Sequence, residues 1–139
     1  MVSMDSLGPV FEATTDDVRV GVRTRFIEEQ SDPENGLFVW AYYINIFNNR
    51  PAPVQLLKRY WHITDAYGQV QEVRGDGVVG EQPIIGPGKY YKYVSGTPLK
   101  ASSGFMRGNY EMQDADGSAF TVVIPAFSLD DPNQRIRIN

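Results

Sequence analysis

Residues 18–26 read V-R-V-G-V-R-T-R-F, and this alternation limits the chain more than any other feature. Val18, Val20, Val22, Thr24 and Phe26 fall on one side of an extended backbone, and Arg19, Arg23 and Arg25 fall on the other. Side chains repeat every two residues in a strand and every 3.6 in a helix, so this segment can bury its apolar set only as a half-buried strand. Residues 37–48 carry the pattern further. Phe38, Trp40, Tyr42, Ile44 and Ile46 share one face, and Leu37, Val39, Ala41, Tyr43 and Phe47 share the other. Apolar side chains on both faces predict a central strand, or one covered on its second side.

The same period predicts strands over 54–64, 69–74, 89–95, 104–113 and 119–129. Turn residues separate them: Asn35-Gly36, Asp65-Ala66-Tyr67-Gly68, a region over 96–103 with one proline, and Asp114-Ala115-Asp116-Gly117. Pro125 inside the last run predicts an edge position or a bulge. Capped helical spacing appears nowhere. Seven short strands predict an all-β domain, an immunoglobulin-like or fibronectin type III-like two-sheet β-sandwich, with a closed barrel as the alternative. Residues 1–15 read as a flexible N-terminal arm with Phe11 as its anchor, 16–130 as the sandwich, and 131–139 as a C-terminal tail.

Composition narrows function mainly by exclusion. The chain has no cysteine and one histidine, which excludes disulfides, thiolate chemistry and cysteine or multi-histidine metal sites. Its net charge of −4 argues against a nucleic-acid partner. No apolar run approaches the roughly 18 residues of a membrane span. The first residues lack the basic-then-apolar pattern of a signal peptide, so a cytoplasmic location is expected.

The stretch 70–88, V-Q-E-V-R-G-D-G-V-V-G-E-Q-P-I-I-G-P-G, holds five of the 13 glycines. Gly75, Gly77 and Gly80 match G-x-G-x-x-G, which in dinucleotide-binding folds links a strand to a helix whose N-terminus holds pyrophosphate. Here Pro83 and Gly86-Pro87-Gly88 deny the helix. Two readings stay open. Successive backbone N–H groups can form a concave anion site beside Arg74 and Lys89, with Asp76 and Glu81 opposing it. Alternatively the segment is a bulged connection that needs positive φ.

His62 has Lys58 and Tyr60 in phase, with no nucleophile or carboxylate partner among them. Asp114 and Asp116 fit turn chemistry better than a cation loop. No catalytic set, metal set or cofactor site emerges, and a non-enzymatic role is expected. Tyr60, His62, Tyr91 and Tyr93 are candidates for an aromatic interaction surface. The oligomeric state is open between monomer and homodimer.

Taken in order, V-R-V-G-V-R-T-R-F, Y-Y-I-N-I-F-N, L-L-K-R-Y-W-H-I-T-D, G-D-G-V-V-G-E-Q-P, G-x-Y-Y-x-Y, G-F-M-R-G-N-Y-E-M and F-T-V-V-I-P-A-F-S-L resemble the ApaG family. The resemblance spans about 16–129. It implies a fibronectin type III-type sandwich and an association with cobalt and magnesium efflux or resistance. It also implies a gene neighbourhood that includes a diadenosine tetraphosphate hydrolase. Fusion of similar domains to an F-box protein and a polymerase-interacting protein implies protein recognition and a protein partner. For Gly75, Gly77 and Gly80 it implies a pyrophosphate-type site, and their spacing beside Arg74 and Lys89 extends that expectation to a dinucleoside polyphosphate.

Overall fold

The computed structural model describes residues 8–131. Among the described residues, nine strands run β1 (Phe11–Thr15), β2 (Val18–Phe26), β3 (Phe38–Asn48), β4 (Val54–Asp65), β5 (Val70–Asp76), β6 (Ile84–Ile85), β7 (Tyr90–Leu99), β8 (Ser103–Gln113) and β9 (Ala119–Asp130). They form two antiparallel sheets. The first has the order β1-β2-β3-β7; the second has β5-β4-β8-β9, with β6 beside β4. The fold is therefore an all-β sandwich and not a closed barrel. All seven expected strands are present, and β1 and β6 are additional.

The inward faces match the alternation. Val18, Val20 and Val22 of β2 and Trp40, Tyr42, Ile44 and Ile46 of β3 are buried against Leu56 and Trp61 of β4 and Met106, Tyr110 and Met112 of β8. β3 is central in its sheet, as its two apolar faces predict. Trp61 lies edge-on to Tyr42 at 5.2 Å and to Phe127 at 5.9 Å, joining the sheets through aromatic contacts.

Two boundaries differ from the sequence expectation. Part of the expected arm is strand β1, paired with β2 from Phe11↔Val22 to Thr15↔Val18. Its five residues alternate, but they are too few to stand out beside a two-residue turn. Residues 1–7 of the expected arm and 132–139 of the expected tail lie outside the described residues. The region 96–103 is not all turn, because β7 continues through Pro98 to Leu99. Proline is tolerated there because β7 is the outer strand of its sheet. Pro125 is both at an edge and at a bulge: the register slips where Met106↔Phe127 gives way to Gly108↔Ile124.

Asn48 closes β3. Its buried side chain donates to Ala52 O and Ile85 O, each at 2.9 Å, and its carbonyl accepts from Gly88 N at 2.7 Å. One asparagine thus ties the 49–53 turn to the far end of the glycine-rich connection.

Candidate functional site

The connection between β5 and β6 is built on an irregularity in β4. The register slips between Leu56 and Lys58, which leaves Leu57 as an extra residue. Its carbonyl accepts from Gly77 N at 2.8 Å and from the Gln82 side chain at 2.9 Å. Val78 and Glu81 then exchange both backbone bonds, at 2.8 and 2.9 Å, around Val79 (φ 44°) and Gly80 (φ 81°). Two central residues with positive φ make this a two-residue hairpin turn of the primed kind. Val78 is buried in the core, and Val79 stands exposed at the tip. A β-branched residue in the left-handed region is strained.

Arg59 locks this hairpin down. Its Nη1 donates to Asp76 O at 3.1 Å and Gly77 O at 2.9 Å. The guanidinium occupies the space a Cβ on Gly75 would need, 2.7 Å away. The glycine spacing therefore has a structural account: Gly75 lets Arg59 through, Gly77 makes a close turn, and Gly80 supplies positive φ.

The five candidate anion-site residues do not converge on one point. The N–H groups of Gly77, Val78 and Glu81 are committed within the hairpin and to Leu57. Arg74 and Gly75 line a depression of about 430 Å³ with Lys58, Arg59, Tyr60 and Asp76. Gly80 lines a separate hollow of about 200 Å³ with Tyr42, Arg59 and Ser95. Gly77 and Lys89 line neither; Lys89 belongs to the next turn, where its N–H donates to Gly86 O at 3.1 Å.

The aromatic candidates also divide. Tyr60 and His62 lie on the outer face of the second sheet. Tyr60 Oη donates to Glu72 Oε2 at 2.7 Å, and Arg74 lies 4.6 Å over the Tyr60 ring while contacting Glu72 at 3.3 Å. The Tyr60 hydrogen bond, helped by Arg74, holds the Glu72 carboxyl below its ordinary range, and the same bond raises the Tyr60 phenol. His62 faces Glu72 and Arg107 in register. Its Nδ1 has no hydrogen-bond partner.

Tyr91 and Tyr93 instead point inward from the first sheet, so the four residues are not one surface. Tyr91 packs against the core and donates to Glu81 Oε2 at 2.8 Å. Tyr93 is 8% exposed, with its hydroxyl 2.5 Å from that of Tyr110. The parity of the Y-Y-K-Y run decides this: Tyr90 is the tyrosine that faces out, at 53% exposure.

The surface that alternation does leave aromatic is the outer face of the first sheet. Cross-strand pairing sets Tyr43 beside Val94 and Phe47 beside Tyr90. The Phe47 and Tyr90 rings are 4.6 Å apart, with Arg19 5.1 Å over Phe47 and Lys92 5.6 Å from the Tyr90 ring centre. A groove of about 550 Å³ crosses this face at Gly21. Sequence reasoning missed Arg59 and did not single out Phe47 and Tyr90 as surface residues. The parity of 37–48 already placed Tyr43 and Phe47 opposite Trp40 and Tyr42, so that signal was available.

The two aspartate turns are local structure. Asp65 Oδ1 accepts from Tyr67 N and Gln69 N, and Asp114 Oδ1 accepts from Asp116 N and Ser118 N. Among the described residues no group of three or more His, Cys, Asp or Glu is placed to hold a metal ion. No described helix is long and apolar enough to cross a membrane.

The sequence profile described as the ApaG domain matches residues 28–114. Protein ApaG of Paramagnetospirillum magneticum is 54% identical over 130 residues, covering 94% of this chain and 100% of that protein. Protein ApaG of Brucella canis is 52% identical over 130 residues with the same coverage. Among solved structures, an ApaA protein from Bordetella pertussis superposes with a TM-score of 0.81 at 45% identity, covering 84% of this chain and 94% of that one. The profile spans more than half of the chain and the relatives align along nearly all of it, so the chain belongs to the ApaG family.

Proposed function

We propose that this domain is a non-enzymatic protein-recognition module that binds its partner on the outer face of the first sheet. One observation carries the reading: Tyr43 with Val94 and Phe47 with Tyr90 form two cross-strand pairs that flank Asn45 and Lys92 on adjacent strands and face away from the core. Aromatic residues with cationic neighbours are what protein interfaces concentrate at their centres. On this reading the cobalt and magnesium association implied by the family runs through a partner.

The test is capture from a native lysate using the wild-type domain and the double variant Tyr90→Ser/Val94→Ser, with Tyr67→Ser as an exposed control off this face. The wild type and the control are expected to retain the same partner. The double variant should lose it by about 30-fold or more in affinity, as for a lost hot spot. A partner held equally by all three proteins would sink the reading, as would the absence of any specific partner.

A second reading has its own observation. Lys58, Arg59 and Arg74 line one depression beside Gly75, which suits pyrophosphate or a nucleoside polyphosphate, although Asp76 and Glu111 line it too. Anion binding there would rest on side-chain cations rather than on a backbone cradle.

A further inference from the structure

We infer that the partner of the first sheet's outer face is an acidic segment that places one large apolar side chain in the groove over Gly21. The inference rests on the recognition reading above and specifies its chemistry. The groove exists because Gly21 has no side chain at the centre of β2, where it pairs with Glu12 on one side and Asn45 on the other. Val10, Tyr43 and Val94 give it an apolar and aromatic part, and Glu12, Arg23, Asn45 and Lys92 line it too.

Charge selects the occupant. Arg19, Arg23 and Arg25 stand outward on β2, and Lys92 stands outward on β7 between Tyr90 and Val94, opposite Asn45. Against these four cations, Glu12 contacts Arg19 at 3.6 Å and Glu29 contacts Arg25 at 3.2 Å. The chain as a whole carries −4, so this face opposes the charge of the rest of the molecule. An acidic segment is drawn to it and a basic one is repelled. A second copy presenting the same face would set cations against cations.

The variant that tests this preserves the fold. A Cβ on Gly21 meets nothing nearer than 3.8 Å, and its backbone lies outside the positive-φ region. Gly21→Tyr therefore fills the groove with a strand-favouring side chain and is expected to raise the thermal midpoint. The probes are two short peptides with the same leucine–tryptophan–leucine centre, one flanked by glutamates and one by lysines, followed by amide NMR on the whole chain.

The glutamate peptide should shift the resonances of Gly21, Asn45, Lys92 and Val94. Gly21→Tyr should weaken it about tenfold or more, Lys92→Glu should weaken it severalfold, and the lysine peptide should not bind. No shift at this face with millimolar glutamate peptide would overturn the proposal. Equal binding of the lysine peptide, or shifts that track protein concentration and so report a second copy, would also overturn it. If the glutamate peptide fails while Tyr90→Ser/Val94→Ser still loses a captured partner, the recognition reading stands and the acidic specificity falls. If both fail, the face is not an interface.

Discussion

Replacing Gly77 by alanine is expected to cost about 3 kcal/mol or more, as severe as a strained-backbone substitution becomes. The added Cβ would sit 2.0 Å from the Glu81 carbonyl oxygen and 2.8 Å from its carbon. Both are backbone atoms, so no rotamer change relieves the clash, and φ of 62° adds the left-handed penalty of about 1–2 kcal/mol. The hairpin must then open, releasing Gly77 N from Leu57 O and drawing Val78 out of the core. The other two glycines of the motif should behave differently. A Cβ on Gly75 meets only the mobile end of Arg59, and a Cβ on Gly80 meets nothing within 4 Å. Gly80→Ala should cost only the left-handed penalty of about 1–2 kcal/mol, and Gly75→Ala should mainly loosen the Arg59 clamp. Val79→Asn should go the other way, gaining about 1 kcal/mol, because asparagine tolerates φ of 44° and completes the preferred pair for this turn. Urea unfolding of the four variants checks the order. A flat series with every cost below about 0.5 kcal/mol would show that the motif is not there to shape this hairpin.

That series also shows why the motif was ambiguous in the sequence. G-x-G-x-x-G specifies positions needing space or positive φ without saying what fills the space. The occupant of the space over Gly75 is Arg59, 16 positions earlier in the chain, and no local pattern links the two. Strand phase was legible wherever the ladder was regular. Val18–Phe26 and Phe38–Asn48 have the faces that their alternation predicts. In β4 the bulge at Leu57 shifts the phase, so buried Leu56 and buried Trp61 are separated by an odd number of positions. Alternation alone cannot place such a slip, because an extra residue looks like a change of face. The tyrosine run failed for a related reason. Composition marked it as special, but only the pairing of Phe47 with Tyr90 and Ile46 with Tyr91 settles which tyrosines leave the core.

The most pH-dependent part of the molecule should be the contact between Tyr93 and Tyr110. One comes from each sheet, and their hydroxyls meet 2.5 Å apart with the side chains buried. Burial is the main cause raising both phenols above their ordinary value. A protonated tyrosine is neutral, and burial makes its ionisation to the phenolate unfavourable. Its neutral form is the one the fold accepts, so with a raised folded pKa the stability it supports is complete below the unfolded pKa near 10 and falls as pH rises from there. Each such group contributes a slope of about 1.4 kcal/mol per pH unit, so the pair should lose about 2.7 kcal/mol between about pH 9 and about pH 11. Neutral-pH behaviour separates this from a packing effect. Tyr110→Phe leaves the Tyr93 hydroxyl buried without its partner and should cost about 1–3 kcal/mol, whereas Tyr93→Phe/Tyr110→Phe removes both polar groups and should be nearly neutral. Chemical denaturation at the two pH values should find the alkaline loss smaller in the double variant by about 2.7 kcal/mol, with a remainder from other phenols that the fold raises, such as buried Tyr42. An unchanged loss in the double variant would assign the alkaline transition to other groups and leave this contact without its role.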